Sequence, residues 1–229
     1  MKTNKTNKTN KNKPSPRLVH LGEAVGERLE KIYPNAECAL DYRGDPWRLF
    51  VMARLSAQCT DKRVNEVSPA LFAEIPDAAA AAEIPVERLE ELVRSCGLYR
   101  EKAKNIKESA KIIVEKHGGA IPDTEEELLA LPGVGRKIAN LLLGDLHGRG
   151  GMVCDTHCMR ICGRLGFYEE GLKDPTKCER IMNPIIPMEK RADFCHRIVF
   201  FGREYCTARG NDCTKCPLND LCAAGKKIK

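Results

Sequence analysis

The chain has 229 residues, 42% hydrophobic and 31% charged, a globular composition with room for one large domain or two small ones. No apolar run approaches the roughly 18 residues of a membrane span, and the N-terminus lacks an apolar signal-peptide stretch. A soluble, intracellular protein of the cytoplasm or nucleoid is therefore expected. The formal charge of +6 is local: Lys2, Lys5, Lys8, Lys11, Lys13 and Arg17 carry it without an accompanying acid, and the remaining charges balance.

Residues 1–17 repeat Lys-Thr-Asn and close on Pro14-Ser15-Pro16. With nothing to bury, this segment is predicted to be disordered, as a solubilising leader or a weak polyanion-binding arm. From Leu18 the pattern turns helical, because Leu18, Leu21, Val25, Leu29 and Ile32 recur at spacings of three and four. Asp45-Pro46 caps and opens the apolar run Trp47 to Ala57, and Asp61 is read as the cap of the next helix. Pro85 opens a helix through Val93, and a longer one runs from Glu101 to Lys116 until Gly118-Gly119 stops it. Asp123 to Ala130 reads as another capped helix. Asp155 precedes a helix from Thr156 to Leu165, and Asp174-Pro175 and Glu189 begin the last two. Nothing alternates with period two, so an all-α fold is predicted.

Between two of these helices lies Leu131-Pro132-Gly133-Val134-Gly135-Arg136-Lys137. Glycines 133 and 135 allow positive φ and close approach of peptide N–H groups to a phosphate, and the helix starting near Arg136 adds partial positive charge. The same dipole disfavours an ammonium ion, so a partly desolvated Lys137 is expected to titrate below the reference value of about 10.4. A neutral amine of this kind is a nucleophile. A dinucleotide fingerprint is excluded because the third glycine and the preceding strand are missing, and a P-loop because only Val134 separates the glycines. A passive clamp on the DNA backbone remains the plainer alternative. Further on, Asp155 is a good N-cap, and a carboxylate held ionised by backbone N–H groups also suits stabilisation of a cationic sugar.

Twelve cysteines in a chain of this kind argue for metal ligation or buried thiols, not disulfides. Cys206, Cys213, Cys216 and Cys222 form Cys-x6-Cys-x2-Cys-x5-Cys, a spacing that leaves a four-thiolate zinc site and an iron-sulfur cluster both open. Arg209 and Lys215 lie inside the ligand loops, where they suit phosphate contacts. Cys154, Cys158 and Cys162 recur every four residues and are read as small buried apolar groups on one helix face.

The hairpin lysine, the segment Val153-Cys154-Asp155-Thr156-His157 and the cysteine spacing together resemble the endonuclease III family of base-excision DNA glycosylases. The likeness extends from Leu18 to Cys222, including Leu55-Ser56-Ala57-Gln58-Cys59-Thr60-Asp61 and Cys96-Gly97-Leu98-Tyr99. It implies two helical domains with a helix-hairpin-helix motif: a barrel over 39–149, and a second domain from 18–38 plus 150–229. It further implies a four-iron four-sulfur cluster on the four C-terminal cysteines and, as partner, double-stranded DNA bearing damaged bases or abasic sites, bound by a monomer. Carried over by position, Lys137 attacks C1′ and forms a Schiff base that undergoes β-elimination, and Asp155 assists base departure. Gln58 and Leu98 resemble wedge residues that fill the stack when the lesion is flipped out. Gly133, Gly135, Arg136 and His157 fall at the DNA backbone or beside the active site. Cys59, Ile138, Gly163 and Phe201 depart from the residues usual in the family, which bears on pocket packing and lesion preference. A monofunctional glycosylase of the adenine-mismatch type would lack the hairpin lysine, and a non-catalytic DNA-binding protein would need neither Lys137 nor Asp155.

Overall fold

The structure is a computed structural model that describes residues 13–209 and 212–225. Most of the basic N-terminal segment, residues 1–12, lies outside it. The described residues form α-helices and short 3-10 turns, with no strand among them. The α-helices are α1 (Pro16–Ile32), α2 (Pro46–Leu55), α3 (Asp61–Glu74), α4 (Ala78–Glu83), α5 (Val86–Val93), α6 (Tyr99–His117), α7 (Glu125–Leu129), α8 (Arg136–His147), α9 (Thr156–Leu165), α10 (Pro175–Met182) and α11 (Arg191–Glu204).

Side-chain caps set most of the starts. Asp45 accepts from the N–H groups of Trp47 and Arg48 at 2.9 and 3.2 Å, and Asp155 accepts from Cys158 N–H at 2.7 Å. These bonds satisfy donors that the first helical turn leaves without partners. Three local expectations are corrected. Thr60, not Asp61, caps α3, since its hydroxyl reaches Arg63 N–H at 3.3 Å while Asp61 is already helical. Helix α1 begins at Pro16, inside the segment expected to be tail, because Ser15 caps it and proline is preorganised for the first turn. Cys154 lies ahead of the α9 cap, so Cys158 and Cys162 share the helix face without it, although all three are buried.

Two hydrophobic cores result. The first gathers Leu49, Phe50, Leu71, Ile106, Ile113, Leu128 and Leu142 from α2–α8. The second joins Val25 and Leu29 of α1 to Ile161, Met182, Ile198, Phe201 and Leu218. The cores meet where α8 touches α11. Within the second core α9 packs closely on α11 because Gly202 has no side chain. A Cβ there would stand 2.5 Å from His157 Nδ1 and 2.8 Å from Ile161 Cδ1. Overpacking costs about 1–3 kcal/mol, against at most about 1 kcal/mol gained from helix propensity, so crowding wins. Gly202→Ala is accordingly expected to lower the calorimetric Tm by a few degrees. An unchanged Tm would mean that His157 and Ile161 yield freely.

Candidate active site and nucleic-acid interface

The segment Leu131–Gly135 forms a hairpin between α7 and α8, anchored by Leu131 and Val134, which are buried in the first core. Val134 N–H closes the turn on Leu131 O at 3.1 Å. The two glycines differ. Gly133 has φ +70°, and its carbonyl accepts from Arg54 Nη1. A Cβ on it would overlap the Arg54 guanidinium and stand 2.7 Å from Asn105 Nδ2. Gly135 has φ −105°, is exposed, and has nothing within 4 Å of where a Cβ would be. The fold therefore requires glycine at 133 but not at 135.

Lys137 stands in the first turn of α8 and is exposed, so the desolvation expected of it is not supplied by the protein itself. Beside it, Arg136 crosses to the second core and forks onto Glu179 of α10, with Nε to Oε2 at 3.0 Å and Nη2 to Oε1 at 2.6 Å. Arg136 also reaches Glu125 at 2.8 Å. Glu179 is buried, and its hydrogen bonds hold the Arg136 proton more firmly than usual. With both acids engaged, Arg136 acts as a structural tie across the cores.

Lys137 and Asp155 line one cavity of about 320 Å³, together with Glu37, Cys38, Ser56, Cys59, Asp61, His157, His196 and Arg203 among others. The carboxylate of Asp155 is half-buried and oriented by Cys158 N–H. His157 is pushed below the ordinary histidine range by burial, which outweighs the nearby Asp155 charge. Its Nδ1 lies 3.2 Å from Arg160 Nη2. A guanidinium only donates, so Nδ1 accepts and the ring proton sits on Nε2.

Gln58 and Leu98 share a rare backbone state. Both have positive φ, +53° and +46°, and both are exposed. Lys102, a residue that sequence reasoning missed, explains how two strained residues are held. Its buried ammonium donates to Leu55 O at 2.8 Å and Cys96 O at 2.7 Å, so one cation ties the Gln58 loop to the Leu98 loop. Burial lowers its pKa. Next to this tie the Cys96 thiol, pushed up to about 11 by burial and by the neighbouring Cys59, contacts the Cys59 thiol. Nothing in the local sequence marks Lys102, which looks like a solvated charge on an amphipathic helix.

Cys206, Cys213, Cys216 and Cys222 line a separate cavity of about 190 Å³ with Arg164, Tyr205 and Leu218. Arg164 Nη1 lies 3.3 Å from Cys206 Sγ, a contact suited to a thiolate. A tetrahedral zinc with Zn–S of about 2.3 Å would bring the sulfurs to about 3.8 Å from one another. No three of these four sulfurs lie within 4.8 Å of each other. Arg209 and Lys215 are exposed on the same loops, Lys215 3.6 Å from Asp212.

Residues 51–188 match the HhH-GPD superfamily of base excision DNA repair proteins, so the class defined by the helix-hairpin-helix and its lysine-bearing cleft is a DNA repair one. The chain is 44% identical over 199 residues to endonuclease III of Synechocystis sp. (strain ATCC 27184 / PCC 6803 / Kazusa), covering 86% of this chain and 90% of that protein. Two solved structures align at TM-score 0.84 and 38% identity over 92% of this chain: a non-covalent endonuclease III–DNA complex, covered to 97%, and a trapped endonuclease III–DNA covalent intermediate, covered to 98%. The chain belongs to the endonuclease III family. It is a DNA glycosylase and abasic-site lyase of base excision repair. No helix among the described residues is long and apolar enough to cross a membrane.

The contrast between the glycines supplies a test. Gly133→Ala combines positive φ with a clash and is expected to destabilise by about 1–3 kcal/mol. Gly135→Ala is expected to leave stability unchanged, so a loss of duplex affinity in this variant would report close approach of DNA to the turn and not a change in the fold. Equal DNA affinity for Gly135→Ala and the unaltered protein, by fluorescence anisotropy, would remove that approach.

Proposed function

We propose that this chain removes oxidised pyrimidines from DNA and cleaves the resulting abasic sites by β-elimination through a Schiff base on Lys137. The observation that carries this reading is the shared cavity: an amine from the α8 N-terminus and a carboxylate from the α9 cap face one space although each belongs to a different core. The covalent DNA intermediate formed by a relative at 38% identity supports it.

In this reading the neutral Lys137 amine attacks C1′ of an extruded nucleotide, the base leaves, and the iminium so formed allows loss of a proton from C2′ and of the 3′ phosphate. DNA closing the cavity excludes the water that reaches Lys137 in the free protein. Asp155, oriented by its cap bond, stabilises positive charge on the sugar as the base departs. Gln58 and Leu98, held together by Lys102, fill the gap in the duplex. The hairpin N–H groups at Gly133, Gly135 and Arg136 and the Nε2–H of His157 meet phosphates, with Arg209 and Lys215 on the cysteine loops adding contacts. We read the first core as the centre of a barrel domain over 39–149 and the second as the centre of a domain of 18–38 plus 150–229, the two cores of buried residues being the support for that division.

That no three of the four C-terminal sulfurs stand within 4.8 Å of one another, the cavity they line and the guanidinium at Cys206 support a group larger than a single ion. Cys206, Cys213, Cys216 and Cys222 would hold a four-iron four-sulfur cluster. When bound, that group cross-links the loop to the second core and supplies a redox-active centre.

Two measurements test the reading. Borohydride is expected to trap a covalent adduct on an abasic duplex, and Lys137→Gln to abolish it while duplex binding survives. Asp155→Asn keeps a capping side chain without the charge and is expected to slow base release by about 10² to 10³. Trapping by folded Lys137→Gln protein would transfer the chemistry to another amine. Separately, protein made with ample iron is expected to contain iron and acid-labile sulfide, whereas zinc without iron would overturn the cluster assignment.

A further inference from the structure

A second group of donors stands beside the Lys137 cavity: Cys38 and His196 line both it and an adjoining opening, and Asp145 lines the adjoining opening. Cys38 Sγ, a carboxylate oxygen of Asp145 and a ring nitrogen of His196 all lie within 4.8 Å of one another, the one such group of three among the described residues. They come from three elements: Cys38 from the connection between α1 and α2, Asp145 from α8 and His196 from α11. Their side chains are withdrawn from solvent, with Asp145 5% and His196 13% exposed.

The His196–Asp145 contact, Nε2 to Oδ1 at 2.7 Å, accounts for only part of this arrangement. Asp145 Oδ2 is buried with no nitrogen or oxygen donor, and the Cys38 thiol, a weak donor, is the further group hydrogen-bonded to this carboxylate. A buried carboxylate served by one imidazole and a weak thiol donor remains poorly compensated, and a cation would offset the cost. The charged groups acting on Cys38 and on neighbouring Tyr42 are Asp145, Asp61 and Glu37, all acidic. Arg43, which lines the adjoining opening of about 610 Å³, is turned to Asp41 at 3.6 Å.

We propose that Cys38, Asp145 and His196 bind one divalent transition-metal ion of the zinc class, clipping the two cores together beside the catalytic cavity. A thiolate, an imidazole and a carboxylate form a mixed donor set that favours zinc over magnesium or calcium, which take oxygen ligands. Donor separations of about 3.3–3.8 Å in a zinc tetrahedron follow from bond lengths of about 2.0–2.3 Å, so the His196–Asp145 contact at 2.7 Å opens to admit the ion while all three donors already stand within 4.8 Å of one another. Binding releases the Cys38 thiol proton to solvent. The metal needs the Nε2 lone pair of His196, so any proton on Nε2 passes to Nδ1 or to solvent. Water from the adjoining cavities supplies the fourth ligand.

The test uses full-length, cluster-loaded protein dialysed against dilute zinc, with zinc and iron counted in the same sample. One zinc per chain is expected at unchanged iron content, with a Tm that rises with free zinc. Cys38→Ser, Asp145→Asn and His196→Gln are each expected to lower zinc affinity by more than the roughly 10- to 100-fold lost on removing an outer-shell partner. Cobalt(II) in place of zinc is expected to show tetrahedral d–d bands and a thiolate charge-transfer band that disappears in Cys38→Ser. Should Asp145→Asn fail to fold, Cys38→Ser carries the test, since Cys38 lies outside the helices. Zinc retention by Cys38→Ser equal to that of the unaltered protein overturns the proposal. So does zinc uptake matched by loss of iron, which would place the metal on the C-terminal cysteines.

Discussion

Everything at the cleft depends on the seam between the two cores. Lys137 is carried by α8, whose apolar face belongs to the first core, while Asp155 caps α9 of the second. Neither core alone makes a site. The strongest tie is the fork of Arg136 onto buried Glu179, one residue from Lys137. Its value lies less in net attraction than in the penalty for breaking it. Removing the cation would leave a buried carboxylate unpaired, at about 3–5 kcal/mol for a fully buried pair and less here because Arg136 is half exposed. Asn140 reinforces the seam by accepting from Gly151 N–H at 2.9 Å, and Arg203 joins Asp61 across it at 2.7 Å.

A second constraint is stored strain. Gln58 and Leu98 occupy left-handed backbone at about 1–2 kcal/mol each. The two hydrogen bonds from the Lys102 ammonium, at about 1.5–3 kcal/mol each for charged donors, are large enough to offset that strain. The tie also explains why a lysine is buried here at all. An apolar residue of equal size would fill the space and leave both carbonyls without a donor. Because one cation serves both loops, the positions of Gln58 and Leu98 are coupled.

The cysteines divide by environment. Cys96, Cys154, Cys158, Cys162, Cys178 and Cys195 are buried among apolar side chains and behave as small hydrophobes. Cys206, Cys213, Cys216 and Cys222 are half-buried around a common cavity, and Cys38 faces a carboxylate and an imidazole. The same side chain serves packing or ligation according to what the tertiary structure places beside it.

What the sequence by itself determined was whatever depends on neighbours within a few residues. Caps such as Asp45, Asp155 and Asp174, the stop at Gly118, the Leu131–Gly135 hairpin and the cysteine spacing are local signals, and each corresponds to a helix end, a turn or, for the cysteines, a shared cavity in the structure. Near misses were local too: Thr60 outcompeted Asp61 for the α3 cap, and the short helix α4 rests on Asp77 and a run of alanines without an amphipathic signature. The rest was decided by contacts between distant segments. Only packing buries Lys102 and Glu179, requires glycine at 133 but not at 135, and leaves Lys137 exposed while placing it in one cavity with Asp155. Only the seam brings Cys38, Asp145 and His196 together from three separate elements. Burial and long-range proximity are properties of the packed whole, because a side chain's desolvation is set by every element around it, and local sequence carries no record of that sum.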